Sequence, residues 1–167
     1  MRLLLLLLIT VCAPNAYAQT KSNAEVIIFL GSECPISQKY VNTLNKIYTD
    51  YSTRGIKFTA FFPEKIKNIS LENFRSEFDV KFPCKLDKRM QKAKHLKASI
   101  TPEVFVIKEG KVMYQGAIDD WFYELGKYRK EPTQPYLRNA LDAVLSNQMV
   151  EVKKTEALGC FIQIKRH

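Results

Sequence analysis

FLGSECPISQKY, residues Phe29–Tyr40, is the stretch on which the reading turns. The apolar run before it, Val26–Leu30, is continuous and rich in branched side chains, which predicts a buried strand. The run stops at Gly31. Beyond it, Tyr40, Leu44, Ile47, Tyr48 and Tyr51 share one face at helical spacing, which predicts a helix from about Cys34 to Tyr51. Cys34 therefore stands where a strand gives way to a helix. The first N–H groups of a helix have no intrahelical partner, and the dipole is positive at that end. Both favour a thiolate, the nucleophilic form of cysteine. Pro35 suits the first helical position, where no N–H is required. Glu33 acts the other way. A carboxylate about 6 Å off, at an effective dielectric near 40, disfavours the thiolate by roughly 1.4 kcal/mol. The helix terminus favours it by about 0.3–2 kcal/mol, so the sign stays open. The alternative role for Cys34 is that of a small buried apolar residue.

Working outward, Ile56–Phe62 is expected as a strand closed by Pro63, and Ser70 as the N-cap of a short helix, Leu71–Phe78. Phe82–Leu86 is expected to be short and extended, and Lys88–Lys97 to form a basic helix. Glu103–Lys108 and Lys111–Gln115 flank Glu109-Gly110 as a hairpin. Tyr136–Ser146 is an amphipathic helix, and the tail, Val150–Arg166, holds two short extended pieces around Gly159-Cys160. This order predicts an α/β chain with a central mixed β-sheet and helices on both faces.

The chain has 167 residues and a formal net charge of +9. Arg2, the apolar run Leu3–Val11 and Ala16-Tyr17-Ala18 have the form of a signal peptide, residues 1–18, cleaved after Ala18. The run is about half the ~20 residues that a membrane span needs, so no stable span is expected in the mature form. Residues 19–167 are then one domain, periplasmic or secreted. Export argues against a nucleic-acid partner, and the charge clustered in Lys81–Lys97 reads as a solvated face. Cys12 leaves with the signal, so Cys34, Cys84 and Cys160 remain. In an oxidising compartment that number fits one disulfide and one spare thiol. Asp119-Asp120 suits a turn or a cap before Trp121 better than a cation. No Cys/His group has zinc-finger spacing, and no metal or other cofactor is expected.

Four segments carry a resemblance: SECPISQKY from Ser32, FPCKLD from Phe82, TPEVFVIKEGKVMYQGAIDD from Thr101, and LGC ending at Cys160. In that order they resemble the exported thioredoxin-like redoxins related to the alkyl hydroperoxide reductase/thiol-specific antioxidant superfamily. The resemblance implies a thioredoxin fold, Cys34 as the active-site thiol and a cis Thr101–Pro102 bond facing it. Pro35, Thr101 and Pro102 would shape a substrate groove in which an extended peptide pairs with the chain. The sequence departs from two family patterns. Ser37 replaces the second cysteine of Cys-x-x-Cys, and Ile27 and Gly31 stand where a peroxidatic Pro-x-x-x-Thr-x-x-Cys pattern has proline and threonine.

A serine cannot resolve a mixed disulfide, though Ser37 can donate a hydrogen bond to the thiolate. Either the protein works as a monothiol, or Cys160 or Cys84 is the resolver. Cys160, after a glycine in a tail expected to move freely, is the preferred partner. A structural Cys84–Cys160 disulfide with Cys34 free remains open. The expected function is thiol–disulfide exchange with protein thiols or disulfides and an upstream thiol electron donor. Two alternatives stand beside it: a binding module for a soft metal such as copper(I) or a redox sensor, and a thiol peroxidase.

Overall fold

The structure is a computed structural model that describes residues 23–63 and 68–163; the signal-peptide segment lies outside them. A five-stranded sheet has the order β3-β2-β1-β5-β6. Its strands are β1 (Ala24–Phe29), β2 (Lys57–Phe62), β3 (Cys84–Leu86), β5 (Glu103–Lys108) and β6 (Lys111–Gly116). β1, β2 and β3 run parallel, with Val26 opposite Phe58 and Ala60 opposite Cys84; β5 and β6 are antiparallel additions. The sheet is mixed, as expected. Glu109 and Gly110 both take positive φ, 51° and 75°, which is the backbone that a tight two-residue hairpin between β5 and β6 demands.

Strand alternation sorts the core into two faces. Val26 and Ile28 point to one side, where α1 (Pro35–Ser52), α2 (Asn68–Glu77) and α4 (Tyr136–Leu145) lie, with Leu44, Phe74 and Leu141 buried there. Ile27 and Phe29 point to the other, where they meet Phe105, Ile107 and the short helix α3 (Gln91–Leu96) through Ala93. Helices thus cover both faces of the sheet.

The structure departs from the expectations at four places. α2 includes Asn68–Glu77, so Ser70 sits inside it and does not cap it. The basic helix is broken. Lys88–Met90 is a 3-10 turn in which Arg89 and Met90 take left-handed φ of 58° and 55°. The buried carboxylate of Asp87 accepts the N–H groups of Lys92 (2.9 Å) and Ala93 (2.8 Å), and this restarts the helix at Gln91. A second hairpin, β7 (Phe122–Glu124) and β8 (Lys127–Tyr128), was not anticipated. It packs on α1 through Tyr40 against Trp121 and Phe122, and through Lys39 over the Tyr128 ring.

The tail is not loose. Gln115 N–H donates to Lys153 O and Thr155 N–H to Gln115 O, both at 3.0 Å. The Thr155 hydroxyl is 2.6 Å from that of Tyr114 and accepts Ala117 N–H at 2.9 Å. Beyond this anchor, β9 (Cys160–Phe161) pairs antiparallel with β4 (Ile100–Thr101).

Candidate active site

Cys34 caps α1 with extended backbone (φ −83°, ψ 111°), and Pro35 follows at the first helical position. Cys34 O accepts Gln38 N–H at 3.0 Å, the first bond of the helix, and Cys34 N–H donates to Gly31 O at 3.2 Å. Gly31 is needed at this turn. A Cβ there would sit 2.9 Å from Thr101 Oγ1 and 3.0 Å from Cys34 Cβ.

Ser37 is fully buried beneath the thiol. Its oxygen accepts Gly31 N–H at 3.2 Å, and this leaves its proton free to serve Cys34. Burial opposes ionisation of Cys34. Hydrogen bonds from the Cys160 thiol, the Ser37 hydroxyl and the backbones of Ser37 and Cys160 outweigh it, so the thiol lies below its ordinary value. When protonated, Cys34 Sγ donates to Thr101 O at 3.1 Å. The sign left open by the sequence is thus decided by hydrogen-bond donors.

The Thr101–Pro102 bond is cis. Thr101 and Cys160 lie opposite each other across β4 and β9, and Thr101 Oγ1 donates to Cys160 O at 3.3 Å. Cys160 and Cys34 line one cleft of about 500 Å³, with Gly31, Glu33, Pro63, Met90 and Thr101. Cys160 is exposed whereas Cys34 is buried. Burial, the hydrogen bond to Cys34 and the charge of Cys34 push the Cys160 thiol up to about 11.

Cys84 is not at this cleft. It lies on edge strand β3, opposite Ala60, and burial pushes its thiol up to about 12. Pro102 lines a separate small hollow with Tyr40, Asp119 and Leu158. There Asp119 accepts the Tyr40 hydroxyl at 2.5 Å and Trp121 N–H at 2.9 Å. Asp120 accepts Thr133 N–H, Thr133 Oγ1–H and Gln134 N–H at 2.6–2.8 Å. The acidic pair therefore builds turns. Pro63 and Met90 carried no signal in the sequence, since each reaches the cleft only through the tertiary fold.

No family model matches the chain. Over 114 residues it is 27% identical to a curated protein of Bacillus thuringiensis named thiol-disulfide oxidoreductase ResA; the match covers 68% of this chain and 65% of that protein, just under two thirds of its length. The crystal structure of an uncharacterized conserved protein from Geobacillus kaustophilus matches with a TM-score of 0.75 at 27% identity, over 88% of this chain and 80% of that one. A putative thiol:disulfide interchange protein DsbE from Chlorobium tepidum shares the fold at a TM-score of 0.60 and 20% identity, over 76% and 82% of the two chains. The chain has the thioredoxin-like fold.

On this fold a helix-capping cysteine faces a cis-proline loop, and a second thiol arrives on a strand from the C-terminal segment. The rate of Cys34 alkylation by iodoacetamide should rise with pH through a midpoint below ~8.5, the value of a free thiol, because the rate follows the thiolate fraction. Removing the Ser37 donor (Ser37→Ala) should move that midpoint up, because one hydrogen bond to the thiolate is lost. An unmoved midpoint would show that Ser37 does not serve the thiolate.

Proposed function

We propose that the protein is a thiol–disulfide oxidoreductase whose redox pair is Cys34 and Cys160. The observation that carries this reading is the meeting of the two thiols in one cleft, with Cys34 at the helix terminus. The name of the curated relative supports the same chemistry. Cys34 attacks a disulfide and forms a mixed disulfide. Cys160 then attacks Cys34 Sγ and releases the second thiol, the step that Ser37 cannot perform. Cys84 takes no part. An upstream thiol donor returns the pair to its reduced form.

The reaction takes place outside the cytoplasm, after cleavage of residues 1–18; this rests on the amino-terminal sequence. Among the described residues no helix is long and apolar enough to cross a membrane. The soft-metal alternative would have two adjacent thiols, and among the described residues no group of three or more His, Cys, Asp or Glu could hold an ion.

Turnover tests the proposal. The protein, recycled by dithiothreitol, should reduce oxidised glutathione or insulin well above the rate of dithiothreitol alone. A rate equal to the uncatalysed one with both substrates would overturn it.

A further inference from the structure

An extended polypeptide docks on a sheet edge by offering main-chain groups to unpaired N–H and C=O groups. Beside Cys34 that edge would be residues 99–101, and the chain's own tail already fills it. Ile162 N–H donates to Ser99 O at 2.8 Å, and Phe161 and Cys160 pair with Ile100 and Thr101. Gly159 lies so close that a Cβ on it would fall 2.0 Å from Thr101 O, a contact with backbone that cannot give way cheaply. The tail thus takes the position expected of a substrate strand and presents Cys160 where a substrate cysteine would stand.

Among the described residues, a cleft of about 500 Å³ lies beyond the tail, lined by Glu33, Pro63, Met90, Phe161 and Ile162. That volume falls within the range of small-molecule sites, about 300–1,000 Å³. We propose that Cys34 exchanges with low-molecular-mass disulfides held in this cleft, and that residues 159–162 exclude extended polypeptides from it. The inference rests on the oxidoreductase reading and names its substrate class.

The chemistry balances. Cys34 thiolate attacks one sulfur of a disulfide RSSR; a Cys34–SR bond forms, the RS–SR bond breaks, and one thiolate leaves. Cys160, its proton lost to solvent, attacks Cys34 Sγ; the Cys34–Cys160 bond forms and the second thiolate leaves. Both thiolates take up protons. Two protein thiols are oxidised to one disulfide, and RSSR is reduced to two RSH.

The test compares oxidised glutathione with a disulfide-linked dimer of an unstructured peptide as oxidants of the fully reduced protein. Loss of the Cys34 thiol is followed by acid quenching, alkylation and peptide mapping. Each rate is divided by that of the same oxidant with dithiothreitol, which removes differences in intrinsic reactivity. The normalised rate should favour glutathione by at least about tenfold. Gly159→Ala should push the tail off the edge and shrink that preference, and a chain ending at Leu158 should do the same without any clash. Equal normalised rates in the wild type, or a preference unchanged when the tail is gone, would overturn the inference and leave the oxidoreductase reading intact. If neither oxidant consumes Cys34 in any variant, the oxidoreductase reading itself fails and takes this inference with it.

Discussion

Cys34→Ser should abolish disulfide exchange, with a fall of at least about a thousandfold, because a hydroxyl held at this terminus is almost wholly un-ionised at neutral pH and a poor nucleophile. The site is built around that one sulfur: it donates to Thr101 O when protonated, and Cys160 and Ser37 both favour its thiolate. Cys160→Ser should behave differently. The first attack survives, but nothing inside the protein releases the adduct, so a mixed disulfide on Cys34 accumulates and can be seen as an added mass. Cys84→Ser should leave exchange unchanged, since Cys84 does not line the cleft. Turnover kinetics and intact mass on the three variants check the set. Full activity in Cys34→Ser, or an adduct on Cys84, would contradict the assignment.

Leu44→Ala should lower the stability of the protein by about 2–5 kcal/mol, the range for removing a large apolar side chain from a packed core. Leu44 is completely buried on the inner face of α1, in the cluster that includes Val26, Ile28 and Leu141. The cost combines lost transfer free energy with the cavity left between helix and sheet. Urea unfolding should show a lower midpoint with little change in slope. A loss below about 1 kcal/mol would mean that α1 does not seat here, and the cap at Cys34 would lose its anchor.

The strand–helix unit from Val26 to Tyr51 was legible because each element has its own period and the break at Gly31 is sharp. The β5–β6 hairpin was legible because Glu109-Gly110 supplies the positive φ values. The break at Lys88–Met90 was not. It depends on the Asp87 carboxylate reaching forward to Lys92 and Ala93, which local propensity does not encode. β9 is only two residues long, too short for any periodicity. That is why the sequence alone predicts a freely moving tail. The glycine is there because Thr101 O leaves no room for a side chain. The same limit applied to the cysteines. Beyond the expected signal segment there are three, and only the fold sets Cys160 beside Cys34 and Cys84 on the far edge of the sheet. Of the residues expected to shape a groove, Thr101 lines the cleft while Pro102 lines the hollow by Tyr40, and occupation of the edge at residues 99–101 by the chain itself carried no sequence signal.

The pairing of Cys34 with Cys160 is tested most directly by disulfide mapping. The mature protein would be air-oxidised, stepped through glutathione redox buffers, acid-quenched, alkylated and digested for mass spectrometry. A Cys34–Cys160 linkage that opens within the buffer range, with Cys84 alkylated throughout, is the predicted result. A permanent Cys84–Cys160 bond with Cys34 always free would contradict it.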